Sequence, residues 1–392
     1  MGITKIVNYN FALDLFEKGS IPPIYSSVQN DRIEQQEVNN LHLSDESMFS
    51  GITEVKCIPE FLTPLPRSLG KPLKLLQIQR FNGYYIDLSG FSSVDEYIMS
   101  KMGSKRKLTR LKRPLKRLES CFDINYEVYF GEIEEGNYEY LFNTMQQFIK
   151  QRFEQRGDEF DPTINLDEMR KKTYSMILEK KASLHVIYNQ SDPIDICLNY
   201  HYQDVLNSAI SSYDINYSKF GLGNIDIMKH LEWCIDNNYQ VFDFMWGDLP
   251  YKHVWSNKVY RYGHHIFYDP KSVIHRVLVP IRVLLYKFKD YWKSKKERGK
   301  KNVKSRIGTE KSDTKPRIEQ QEVNHDEING LAFTEINIHL EPNLWLRPLV
   351  YDFQYRYVEH AKNIKVLKLC DKQETYAVLG KTKAISIVNH LN

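Results

Sequence analysis

Cysteine is scarce in this 392-residue chain: five residues, odd in number, far apart and without a CxxC spacing. That pattern argues against a disulfide framework and against a zinc cluster, and it fits a reducing compartment. No uninterrupted apolar run approaches the ~18 residues that a bilayer span requires. Met1 to Lys18 lack the charged-then-apolar pattern of a secretory signal, so a cytoplasmic location is expected. Net charge is also small, +4, but it is unevenly spread. Residues 101–117 hold nine Lys/Arg and no acid, and residues 293–306 hold eight against Glu297. The remainder is net negative, so anionic partners are expected at two places and not over the whole surface.

What is present is an ordinary globular composition, 42% hydrophobic and 27% charged, with many aromatics, 26 of them tyrosine. The length allows two domains, or one enlarged core with appendages. The middle of the chain is the most regular part. Tyr84–Leu88 reads as a short strand, and Ser93-Val94-Asp95-Glu96 as a capping box opening a helix. The basic run follows, broken by Pro114. Ile124, Tyr126, Val128 and Phe130 alternate with polar residues, as a strand requires. Leu141, Met145, Phe148 and Ile149, then Met169, Thr173, Met176 and Ile177, recur at helical spacing. Ser183–Asn189, Ile194–His201 and Val205–Tyr213 read as an antiparallel meander joined by short turns. A helix over 224–238, a strand Val241–Met245, a helical turn near Tyr251–Asn257 and a strand Gly263–Tyr268 complete the series. This order predicts a mixed sheet covered by helices.

Residues 81–272 are therefore expected to form the core domain. Residues 1–80 and 317–392 are expected to be β-containing accessory segments, packed together or on the core. Residues 273–316 join an apolar stretch, Val273–Phe288, to the second basic run and a polar linker over 300–315. That stretch would pack on the domain or lie on an anionic membrane surface. Arg32–Asn39 recurs identically as Arg317–Asn324, a single pair and not a solenoid array.

The chemistry is concentrated between residues 205 and 260. Ser211-Ser212-Tyr213-Asp214 ends a strand, Lys219-Phe220-Gly221-Leu222-Gly223-Asn224 opens a helix, and Asp243-Phe244-Met245-Trp246-Gly247 leads to Tyr251-Lys252-His253-Val254-Trp255. Free N–H groups at such a helix start, with glycines allowing close approach, suit a pyrophosphate; a plain loop before a helix is the bland alternative. Attack on a carbonyl carbon needs a deprotonated nucleophile, a stabilised oxyanion and a proton for the leaving group. Asp243, or a water it orients, suits the first role, Lys252 the second and Tyr251 the third. Equally, Asp243 would cap a loop, and Tyr251 and Lys252 would be packing and a solvated amine. His264 and His265 point to opposite faces of a strand, which disfavours a paired metal site.

These motifs resemble the C-terminal part of CelD-like acetyltransferase domains, related to FemAB-like transferases, within the GNAT superfamily. The likeness covers roughly residues 183–268 and extends more weakly to 85–182. It implies a GNAT-like mixed α/β sheet with a partial second βα unit, and acetyl-CoA or another acyl-CoA as donor. Ser212, Tyr213, Lys219, Gly221, Leu222, Gly223 and Asn224 would then hold its pantetheine-pyrophosphate, although Ser218 stands where the family often has Arg or Gln. The acceptor implied is a small amine, such as an amino sugar or a cell-envelope precursor. Two alternatives stay open: aminoacyl transfer from aminoacyl-tRNA, in which the basic segment 101–117 would meet RNA, and a catalytically silent GNAT-fold binding module.

Overall fold

The computed structural model describes residues 5–33, 35–38, 51–70, 72–157, 165–306, 317–329, 331–370 and 374–390. In chain order come β1 (Ile6–Asn10), α1 (Phe11–Lys18), β2 (Tyr25–Asn30), β3 (Gln35–Val38), β4 (Ile52–Pro59), β5 (Leu62–Pro66) and the long β6 (Lys74–Asp87). Then follow α2 (Val94–Met102), α3 (Lys105–Cys121), β7 (Ile124–Tyr129), α4 (Glu135–Arg156) and α5 (Leu166–Leu178). The meander is β8 (Ala182–Asn189), β9 (Asp192–Tyr202) and β10 (Val205–Tyr213), succeeded by α6 (Leu222–Asp236), β11 (Val241–Trp246), α7 (Pro250–Trp255) and β12 (Lys258–Tyr268). The rest comprises α8 (Val273–Arg306), β13 (Arg317–Val323), α9 (His325–Asn329), β14 (Phe333–Glu335), α10 (Arg347–Tyr357), β15 (Lys365–Leu369), β16 (Thr375–Leu379) and β17 (Ala384–His390).

The expected mixed sheet is present and larger than expected. It has nine strands in the order β1-β4-β12-β6-β11-β10-β9-β8-β7. Alternation along the strands divides two cores. Leu184, Leu198, Tyr200 and Val205 face α1, α4 and α5, while Leu206, Phe242 and Phe244 join the core built with α2, α3, α6 and α10. One face buries aliphatics against long helices, and the other is shared with the C-terminal unit.

Three expectations need correction. Residues 1–80 do not form an accessory segment: β1 and β4 are strands of the main sheet, and the boundary at residue 80 falls inside β6. β4 reaches the sheet by pairing with β12, about two hundred residues later, as in Ile266↔Glu54. Such a partner leaves no trace in local periodicity. Pro114 does not break the basic run, because α3 continues through it to Cys121. Leu115, Leu118 and Cys121 are buried on its inner face, so tertiary packing offsets the hydrogen bond that proline removes. The polar linker expected from residue 300 is helical as far as Arg306, and 307–316 lie outside the described residues.

The two repeat copies occupy different settings. Gln35–Val38 pairs with β2 in a three-stranded sheet, whereas Arg317–Val323 edges the five-stranded sheet β13-β17-β16-β15-β14. The remaining residues of the first copy include positions 34 and 39, outside the described residues. The C-terminal sheet is tied to the core through α10: Arg347 pairs with Asp214 at 3.1 Å, and Arg117 donates to the Tyr355 carbonyl at 2.9 Å.

α8 is fastened across the other end of the sheet. Glu54 on β4 is fully buried and accepts from Arg282 and Tyr286 of α8, with His264 of β12 3.5 Å away. Burial alone would raise this carboxyl, but hydrogen bonds from His264, Arg282 and Tyr286 and the Arg282 charge hold it well below its ordinary value. A depressed carboxyl stabilises the fold above the unfolded value of ~4.3, and that contribution is lost as pH falls through the lower folded value. Glu54→Gln should therefore lower the melting temperature at neutral pH and flatten its dependence on acid below pH ~4. Melting curves of both proteins across this range test it; identical pH dependence would remove Glu54 as the linked group.

Candidate functional site

β10 and β11 run parallel, but their ladder is short. Val205↔Val241, Leu206↔Phe242 and Asn207↔Asp243 are paired, and beyond them the strands have no register partners on each other. A register shift between Ser208 and Ile210 bends β10 away from this point and leaves Ala209 without a partner on β9. On the α1 and α5 side the gap opens into a cleft of about 850 Å³, whose lining includes Asn207, Ala209, Ile210, Met245, Trp246 and Met169.

Asp243 lies directly behind the cleft wall and is fully buried. Its carboxylate accepts from the Met245 backbone N–H at 2.9 Å, the Tyr260 hydroxyl at 3.0 Å and Asn207 Nδ2 at 3.3 Å. Tyr260 in turn lies 2.6 Å from the Tyr262 hydroxyl. Burial raises the Asp243 carboxyl to about 6; the Met245 N–H, Tyr260, the Lys252 charge and Asn207 act against that rise. The other end of the Asn207 amide, Oδ1, is buried without a hydrogen-bond partner. A buried acceptor left open beside a cleft is a place for an incoming donor. Gly83 makes this packing possible, because a Cβ there would stand 2.2 Å from Cζ of the Tyr260 ring.

Lys252 is buried as well. Its ammonium donates to the carbonyls of Phe244, at 2.6 Å, and Trp246, at 2.5 Å. These flank Met245, whose φ of 60° is left-handed and disfavoured for a side chain with a Cβ. Lys252 thus holds the bulged end of β11 in place. Burial lowers its pKa to about 8, opposed by the Asp243 charge. Gly247, at φ 102°, completes the same turn.

The helix start expected to bind phosphate is built differently from the expectation in part. Lys219 is engaged with Asp352 of α10 at 3.3 Å, Leu222 is buried in the core, and Ser212 is buried with its hydroxyl donating to the Ile196 carbonyl at 2.8 Å. Asn224 Oδ1 accepts from the Trp255 indole at 3.0 Å. Gly221 caps the preceding turn in the left-handed region and starts α6, and Gly223 lies beside the Tyr213 ring. Over that ring, 4.6 Å from its centre, sits the guanidinium of Arg152 from α4. Its Nη1 donates to the Ser211 carbonyl, while Nε is buried without a partner. Tyr213, Gly223 and Arg152 therefore come together, and Lys219 is directed elsewhere. Nothing in the run 141–156 marks Arg152 in advance, since it is one cation on a long amphipathic helix.

Inward of Arg152 lies a polar cluster on β8, β9 and α6. His185 stacks on His230 at 4.0 Å, His230 contacts Asp226 at 2.9 Å through Nδ1 and Asn199 at 3.0 Å through Nε2, and Cys197 faces Asp195 at 3.4 Å. Burial keeps His185 neutral and raises Asp195 strongly. Cys197, Asp226 and His230 present ligating atoms within 4.8 Å of one another, but both His230 nitrogens are already engaged by protein groups. Tyr251 packs edge-on to Phe244, with ring centres 5.6 Å apart. Burial raises its phenol to about 12, Arg152 opposing and Cys197 and Asp226 adding to the rise. Such a phenol keeps its proton at neutral pH, so it offers a hydrogen bond and is a weak acid toward a thiolate of pKa ~8.5.

Residues 104–253 match the family described as an acetyltransferase (GNAT) domain. Within the longer chain, this segment is thus similar to GNAT-type acetyltransferase domains. No curated protein sequence matches the chain. Among solved structures, a conserved protein of unknown function from Bacteroides thetaiotaomicron VPI-5482 is similar at 7% identity, over 56% of this chain and 70% of that one, with a TM-score of 0.36. L-PGS from Bacillus licheniformis is similar at 13% identity, over 60% and 72%, with a TM-score of 0.36. FemX is similar at 10% identity, over 51% and 64%, with a TM-score of 0.38.

Proposed function

We propose that the protein transfers an acyl group, from acetyl-CoA or another acyl-CoA, to a small amine held in the cleft where β10 and β11 part. The observation that carries this reading is the pairing of an open acceptor, Asn207 Oδ1, with the buried Asp243 carboxylate behind it. The amine would donate to Oδ1 while its lone pair attacks the acyl carbonyl. The attacking nitrogen becomes positive as the new C–N bond forms, and a buried carboxylate favours that charge in the transition state more than in the ground state. The carbon–sulfur bond then breaks, and the nitrogen loses its proton to the thiolate or to water. Tyr251 would hydrogen-bond the leaving group. The donor's phosphates would lie on the other side of the gap, against Arg152, Tyr213 and the free N–H groups at Leu222 and Gly223.

A second donor, aminoacyl-tRNA, is favoured by one feature. α3 lies against α6 and exposes Lys105, Arg106, Lys107, Arg110, Arg113 and Lys116, a surface suited to a polyanion. Titration calorimetry and thermal shift with acetyl-CoA, longer acyl-CoAs and tRNA discriminate the donors. Acyl-CoA should raise the melting temperature, and Arg152→Ala should weaken its binding by about tenfold to a hundredfold, as loss of a charged hydrogen bond does. Silence with every acyl-CoA at millimolar concentration, together with a shift by tRNA, would move the reading to aminoacyl transfer. Silence with all of them would leave a GNAT-fold binding module.

A further inference from the structure

α8 has two apolar faces. Its inner face is anchored to the sheet by Val279, which is buried against Ile52 and Ile266, by the Arg282 and Tyr286 contacts to Glu54, and by Asp290 bound to Arg80. On the opposite side Ile274, Val277, Ile281, Leu284 and Phe288 recur at intervals of three and four residues and are all exposed. Leu284 is 68% and Phe288 58% exposed. A surface helix ordinarily turns polar residues to water on its outer side, so this stripe lacks an occupant within the described residues.

The charge around the stripe identifies the occupant's chemistry. Arg276, Lys287 and Lys289 are exposed on α8 beside the stripe. Tyr291 and Trp292 close its apolar part, as ring systems do where hydrocarbon meets headgroups. The same helix then runs on through 293–306, with eight Lys/Arg against Glu297. The helix's other acid, Asp290, is turned inward to Arg80. No described helix is long and apolar enough to cross a membrane. An apolar stripe flanked by cations and continued by a basic segment matches an interfacial helix lying flat in a bilayer surface.

We infer that α8 docks the protein on an anionic lipid surface, its outer stripe entering the acyl boundary and its basic continuation meeting the headgroups. This inference is independent of the acyl-transfer reading, because it rests on a different part of the sheet and its test measures no turnover. The full chain should co-sediment with vesicles in which roughly one-third of the phosphatidylcholine is replaced by phosphatidylglycerol, bind pure phosphatidylcholine weakly, and be released by salt. Leu284→Glu with Phe288→Glu should lower the partition coefficient by about tenfold or more. Both positions are exposed, so the melting curve should be unchanged. Lys293→Glu, Lys295→Glu and Lys296→Glu together should weaken binding to the anionic vesicles alone, which keeps the test open if the first variant folds poorly. No binding to either vesicle, or undiminished binding by both variants, would overturn the inference. So would light scattering that shows a dimer dispersed by the Leu284→Glu, Phe288→Glu variant, since a second copy would then be the occupant.

Discussion

Asp243→Asn should cut turnover by about 10²–10³ while leaving donor affinity nearly unchanged, and it should raise the melting temperature by a few degrees. The two effects share one cause. Burial lifts the Asp243 carboxyl to about 6, above the ~3.9 of an unfolded chain. Ionisation is therefore less favourable in the folded state: the penalty is absent below ~3.9 and complete above the folded value. Asparagine removes it and fits the same contacts. Its oxygen can still accept from Met245 N–H, and its amide can donate to Tyr260. Asn207 can turn over to present Oδ1, which is now unpartnered. What asparagine cannot supply is the negative charge that favours a cationic nitrogen. The wild-type rate should accordingly climb through an apparent pKa near 6, and the variant should lose that limb. Steady-state kinetics across pH, with a melting curve for each protein, check both parts. Full turnover in Asp243→Asn would take the carboxylate out of the chemistry, and a marked fall in melting temperature would show it to be a structural hub.

Lys252→Ala should depress turnover and stability together. The ammonium bridges two buried carbonyls on either side of Met245, and alanine leaves both without a donor. Orphaning buried acceptors costs about 1–3 kcal/mol each, offset in part by no longer burying a charge. A melting temperature lower by about 5 °C or more is expected, with turnover down at least about tenfold as the end of β11 relaxes and Asp243 loses its N–H donor from Met245. If Lys252 instead reached the reacting carbonyl, turnover would collapse with the melting temperature intact. Parallel activity and calorimetric scans separate these outcomes.

The sequence carries most of the helical and antiparallel architecture because those elements rest on local rules. Ser93 opens α2 as the capping box requires, accepting from Glu96 N–H at 3.2 Å, and β10 spans Val205–Tyr213, the bounds expected for the third strand of the meander. The placement of β4 and β6 was not legible, since each is defined by partners far along the chain and neither has a turn to announce its neighbour. The site divides along the same line. Asp243 stands out as a carboxylate in an apolar strand, and Asn207 carries a similar signal, an amide beside Val205 and Leu206. Their pairing across a parallel ladder has no local signature. Tyr260 and Arg152 are ordinary residues of a strand and a helix until the fold brings them to Asp243 and Tyr213. Lys252 shows the opposite limit: the Tyr-Lys pair was visible, but the direction of its ammonium depends on a bulge at Met245 that spacing does not encode.

The interleaved strand order also constrains how this protein is made. β4 and β6 are both synthesised early, yet each pairs with β12, which ends at Tyr268. Until that strand leaves the ribosome, β4 and β6 carry unsatisfied strand edges while the meander of β8, β9 and β10 can already close on itself. Contacts at such separation form slowly, and exposed edges in the interval invite pairing with other chains. The nascent chain thus passes through a stage in which its main sheet is partly assembled and its first strands are waiting. This is the stage at which chaperone dependence, and aggregation at high synthesis rates, would be concentrated.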